Sequence, residues 1–157
     1  MTITRILGPP TPNVATRRSR AACSTTADEE AVPRMRRFVL CYVRHLGLPE
    51  STRDTAGLVV SELVTNAVLH SGSQSVAVLV AVGPTHLLIA VRDCGCWLER
   101  PEPRRSAADA DALCGRGLDL VRAMTDRCTV TSGAAGTMVE AHMHLTPAAA
   151  VIPGARR

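Results

Sequence analysis

Glu62 and Asn66 are the residues of this chain best placed, by type and spacing, to do chemistry. They lie in the stretch Ser61-Glu62-Leu63-Val64-Thr65-Asn66-Ala67. On a helix, residues four apart share a face. A carboxylate there can take a proton, and a carboxamide oxygen beside it can ligate a hard cation such as Mg²⁺. Taken alone, the stretch reads more simply as the polar flank of an amphipathic helix, because short motifs match by chance. Two stretches downstream change that balance. Asp93-Cys94-Gly95 closes an apolar run, and Gly115-Arg116-Gly117-Leu118 opens a helical pattern.

Each downstream stretch has a physical use. A carboxylate held at a strand end, as Asp93 would be, can accept from an exocyclic amine. An adenine amine fits, and a buried carboxylate would select it over a guanine carbonyl. Gly95 lets backbone pass close to a flat base. Gly115 and Gly117 expose backbone N–H groups at a helix start, where donors and dipole stabilise phosphate, and Arg116 can add charge there. Singly these are weak signals, since Asp-x-Gly is common in turns and Gly-x-Gly in caps. Their order makes them more specific.

The positioning elements follow from hydrophobic period. Ala56, Val60, Leu63 and Ala67 make one stripe on a helix from Asp54 to His70, with Ser51 or Thr52 as its cap and Gly72 at its end. An earlier helix, Val32 to His45, has an apolar stripe that includes Met35, Val39 and Val43, with Arg34, Arg36, Arg37 and Arg44 off its centre. That basic face reads as solvated, with docking of an acidic partner as the alternative. Ser75 to Val82 is apolar at nearly every position, which predicts a strand central in a sheet or buried on both faces. Leu87 to Arg92 is its hairpin partner across Gly83-Pro84-Thr85. The stretch 98–114 loses all period and predicts a lid. A helix over 118–125 and strands over 127–132 and 137–145 complete the pattern. Residues 1–30 hold Pro9, Pro10 and Pro12 and read as a flexible tail, with a short strand near Ile3 to Leu7. The domain then spans 31–147, and 148–157 is a second tail.

A chain of 157 residues with 46% hydrophobic content suffices for one domain. Aromatics are one Trp, one Tyr and one Phe, so Val, Leu, Ala and Met must fill the core. Net charge is +4, all eighteen basic residues being Arg, which fits an anionic ligand or an acidic partner without choosing between them. No apolar run reaches the ~18 residues of a membrane span. No secretory leader precedes the six cysteines, so a cytoplasmic location and free thiols are expected. Cys94, Cys96 and Cys114 flank the lid and suit a redox-sensitive clasp. The spacing Cys94-x-Cys96 is one residue short of the usual zinc pair.

Ser61 to Ala67 resembles the N-box of the gyrase, chaperone and histidine-kinase ATPase superfamily. Asp93-Cys94-Gly95 resembles its first glycine box, and Gly115-Arg116-Gly117-Leu118 its second. From about Val32 to Leu145 the chain is similar to the stand-alone anti-sigma factor serine kinases of actinobacteria. The resemblance implies a two-layer α/β sandwich, with helices on one face of a mixed, mostly antiparallel sheet and ATP under a lid. It implies Glu62 as general base and Asn66 as ligand to Mg²⁺. It also implies that Asp93 and Gly95 sit at the adenine, and that Gly115, Arg116, Gly117 and Leu118 lie along the phosphates. The partners implied are a sigma factor and an anti-anti-sigma protein carrying the target Ser, together with a second copy of the chain, and neither nucleic acid nor membrane. Where the first glycine box often has a second Gly, this chain has Cys96-Trp97. That departure keeps open a non-catalytic adaptor that regulates by binding alone. A histidine-kinase ATPase domain working in trans is the third reading, although no phosphoacceptor hairpin surrounds His70.

Overall fold

The computed structural model describes residues 2–6, 19–95 and 117–145, the first of these by backbone alone. In chain order the elements are β1 (Thr2–Ile6), β2 (Ser19–Thr26), α1 (Ala31–His45), α2 (Glu50–His70), β3 (Ser75–Val82), β4 (His86–Asp93), α3 (Gly117–Met124), β5 (Arg127–Gly133) and β6 (Gly136–His144). The six strands form one sheet in the order β1-β2-β3-β4-β6-β5. Every neighbouring pair is antiparallel, so the described sheet has no parallel pair of the kind a mixed sheet needs. α1 contacts β2 and β3, α2 contacts β3 and β4, and α3 contacts α2 and β5. The result is an α+β sandwich with the core between helices and sheet.

The alternation of β3 decides which face is core. Val76, Val78, Val80 and Val82 are buried, whereas Ala77, Leu79 and Ala81 are half-buried on the other face. The strand is therefore covered on one face only. Its unbroken apolar run reflects alanines in outward positions, not double burial.

The stripe predicted for α2 is fully buried: Ala56, Val60 and Leu63 are at 0% exposure and Ala67 at 1%. Val59 and Val64 are buried with it, because α2 packs against α1 as well as the sheet. Turning α2 by one residue would expose such side chains at roughly 1.5–3 kcal/mol each. That burial fixes the rotation of α2 and hence the direction of Glu62 and Asn66. The helix starts at Glu50, before the expected Asp54, and Pro49 stands at its N-cap with no side-chain cap from Ser51 or Thr52. Gly72 ends it as expected, with a left-handed backbone just past the last turn.

The chief departure lies in the stretch read as a tail. Residues 19–26 form β2, paired along its whole length with β3 from Ser19↔Val82 to Thr26↔Ser75. Only Ala21 and Cys23 of it are buried, and both are small. A strand that buries so little gives almost no hydrophobic signal. The strand expected near Ile3 is β1, on the outer edge of β2.

Candidate functional site

Two of the elements, α2 and α3, meet at one corner of the helical layer. Glu62 and Asn66 are half-buried on the same side of α2. The first residue of α3 is Gly117, and a Cβ built on it would lie 2.8 Å from Glu62 Oε2 and 3.4 Å from Asn66 Nδ2. The helix start therefore rests against both side chains, with only hydrogen on the glycine between them. This leaves the N-terminal N–H groups of α3 beside a carboxylate and a carboxamide, a place where an anion and a cation can be held together. Leu118, next along, is half-buried against the core.

The second part of the site sits at the end of β4. Asp93 is 2% exposed. Its Oδ1 accepts from the Gly95 N–H at 3.0 Å, which folds the strand end into a tight turn. The main chain of this turn is pressed against the loop after α2. A Cβ on Gly95 would overlap the Ser71 carbonyl oxygen and come within 2.6 Å of its carbon. Ser71 itself is buried and donates through Oγ to the Ala67 carbonyl at 2.5 Å. The Ser73 N–H donates to Ser71 Oγ at 3.0 Å, and the Cys94 N–H to Ser73 Oγ at 3.1 Å. The loop that ends α2 is thus bonded to the turn that carries Asp93.

A residue pair on β6 that sequence reasoning missed completes this end. Gly136 has φ +110°, and a Cβ there would overlap the Asp93 carbonyl oxygen and lie 2.7 Å from Cys94 Cα. Thr137 is the register partner of Asp93 and is 1% exposed. Its hydroxyl lies 3.3 Å from Ser132 Oγ. The available signal was a lone Thr on the otherwise apolar face of a strand, directly after a turn glycine.

Of the residues singled out from sequence, Glu62, Asn66, Gly117 and Leu118 come together near the α2–α3 contact. Asp93 and Gly95 come together at the end of β4. Gly115, Arg116, Cys96, Trp97, Cys114 and the stretch 98–114 lie outside the described residues. Of the described cysteines, Cys94 and Cys41 are exposed. Burial pushes the thiols of Cys23 and Cys128 up. No described helix is long and apolar enough to cross a membrane.

This architecture is that of a nucleotide-binding sandwich, and comparison with known proteins agrees. Residues 25–143 match the family model described as histidine kinase-like ATPase domain, and the chain belongs to that family. No curated protein matches the sequence. Among solved structures, the chain resembles the RsbU and RsbW domains of Rv1364c from Mycobacterium tuberculosis, with a TM-score of 0.64 and 19% identity. The match covers 87% of this chain and 33% of that one, so the chain spans about a third of its neighbour's length.

Proposed function

We propose that this chain binds Mg²⁺-ATP and acts as a protein serine kinase on an anti-anti-sigma protein, sequestering a sigma factor when that partner is absent. The observation that carries the reading is the seating of Gly117 against both Glu62 and Asn66. It gathers a proton acceptor, a cation ligand and a helix N-terminus at one point, which is what phosphoryl transfer to a hydroxyl requires. The residues present fit the nucleotide. Asp93 is a buried carboxylate at a strand end, and Gly117 leaves a side-chain-free place beside the acidic and amide groups.

Bound Mg²⁺-ATP supplies the transferable phosphoryl group and the positive charge that offsets its oxygens. The rest is the work of this chain's own residues. Asp93 Oδ1 is oriented by the Gly95 N–H, so the carboxylate is held ready for an exocyclic amine. Thr137, buried across from it, adds a hydroxyl on the same side of the sheet end. Asn66 presents its amide oxygen to the cation. Glu62 takes the proton of the attacking Ser hydroxyl. The kinship with anti-sigma kinases expected from the N-box and glycine boxes supports the choice of a Ser-bearing partner, and family membership supports ATP.

Calorimetry of ATP binding, with and without Mg²⁺, on wild type and Asn66→Ala tests this reading. Mg²⁺-dependent binding that the substitution removes is expected. The folded wild type showing no heat at millimolar ATP would replace the kinase with an adaptor that works by binding alone. Acid-stable phosphate on a partner Ser would establish the reaction, and acid-labile phosphate would point to histidine transfer instead.

A further inference from the structure

The helix that carries Glu62 has a glycine in its middle. Gly57 is buried, and its backbone is not left-handed, so no turn calls for it. A glycine in a helix interior is unfavourable relative to alanine. Its neighbour explains it. A Cβ on Gly57 would stand 3.2 Å from Arg36 Cζ and 3.2 Å from Leu40 Cδ2, both on α1. The Arg36 guanidinium lies directly over the bare backbone. Its Nη1 donates to the Gly57 carbonyl at 2.6 Å and to Ser61 Oγ at 3.0 Å. Ser61 Oγ in turn donates to the same carbonyl at 2.7 Å. The three groups close a triangle across one turn of α2.

That turn ends one residue before Glu62. A hydroxyl bonded back to the carbonyl four residues earlier tends to bend a helix. Here a charge-assisted bond from a neighbouring helix holds both members of that pair. We infer that Arg36 is a positioning residue for Glu62: it locks the Gly57–Ser61 turn and so sets where the Glu62 carboxylate meets Gly117. The kinetic consequence rests on the proposed role of Glu62 as base, whereas the lock itself does not.

The experiment uses the full chain and three substitutions. Arg36→Met keeps the stem and removes the donors. Arg36→Lys keeps the charge on a single point donor. Gly57→Ala inserts a methyl under the guanidinium. Arg36→Met should speed amide exchange at Ser61 to Asn66 and lower Mg²⁺-ATP turnover about tenfold, with ATP affinity held within about twofold because the Asp93 end is untouched. Arg36→Lys should recover part of the turnover. Gly57→Ala should lower turnover in the same sense, although alanine favours the helix. The Arg36→Met, Gly57→Ala double variant should be no worse than the poorer single, since both break one lock. Unchanged exchange at Ser61 to Asn66 in Arg36→Met, full turnover in Gly57→Ala, or losses that simply add would each overturn the inference. A wild type without Mg²⁺-ATP turnover would remove the kinase reading, and the exchange result would then decide the lock alone. Should Arg36→Met fail to fold, Arg36→Lys and Gly57→Ala carry the same readouts.

Discussion

At the Asp93 end of the site, main chain meets main chain: Gly95 lies against the Ser71 carbonyl and Gly136 against the Asp93 carbonyl. At the Glu62 end, main chain meets side chain, with Gly117 against a carboxylate and an amide that are half-exposed. Backbone contacts of the first kind have no soft coordinate, because neither partner can turn away without moving a strand or a helix end. Contacts of the second kind relax by rotation of χ angles. In the proposed reaction the difference would separate two tasks of the site. Selection of a base would need a shape that does not change, and proton transfer and cation binding would need groups that adjust as charge moves.

This contrast can be broken most directly at Gly95. Gly95→Ala should destabilise the protein by roughly 4 kcal/mol or prevent its folding, by the overpacking mechanism. Gly136→Ala should follow closely, since it adds both a clash and a backbone φ of +110° that alanine rarely adopts. Urea unfolding measures both, and a loss under about 1 kcal/mol at either position would show that the Asp93 turn is softer than argued. Next in size comes Glu62→Gln. Stability should stay within about 0.5 kcal/mol and ATP binding should persist, while transfer to a Ser falls by about 10²-fold or more. Retained transfer would move the base elsewhere.

Gly117→Ala sharpens the comparison further. Its methyl would stand 2.8 Å from Glu62 Oε2, at the free end of a side chain that can shift. Stability should barely change, while Mg²⁺-ATP turnover should fall about fivefold, because the carboxylate is displaced by a fraction of its reach. A stability loss as large as that of Gly95→Ala would erase the distinction between the two ends.

The smallest effect is expected away from both ends, at Asp28. A hydrogen bond from Thr26 Oγ1 at 2.6 Å, with Arg34 beside it, holds this carboxyl below its ordinary value. A depressed folded value gives stability that is present above the unfolded value of about 3.9 and lost as pH falls through the folded one. Thermal unfolding followed below about pH 4 should therefore show a slightly flatter acid limb in Asp28→Asn than in wild type. An identical limb would remove Asp28 from the acid response.

The elements that bury large aliphatics were legible in the sequence. β3 spans the predicted Ser75–Val82, and α1, β4, α3 and β6 lie within a residue or two of expectation, because Val and Leu at periods of 2 and 3.6 carry the signal; β5 lies as close although none of its residues is buried. Glu62, Asn66 and Asp93 were legible as residue types at telling positions. What stayed hidden depends on small residues and distant partners. β2 buries only Ala21 and Cys23, which carry little periodic weight. Gly136 looks like any hairpin glycine until Asp93 is placed beside it. Gly57 looks like a flaw in a helix until Arg36, twenty-one residues earlier, is found above it. No local window contains such pairs.

The contact between Gly95 and Ser71 also bears on the order of assembly. It joins positions 24 residues apart, through the single β3–β4 hairpin, whereas Glu62 and Gly117 are 55 residues apart. Loop closure for the longer span costs only about 0.7 kcal/mol more entropy. α3 rests on α2 and on β5, and β5 joins the sheet only through β6. The expected order is therefore that the Ser71–Gly95 contact forms with a local hairpin and the α2–α3 corner closes later. A chain caught partway would hold half of the Asp93 turn and lack the seating of Gly117 against Glu62 and Asn66.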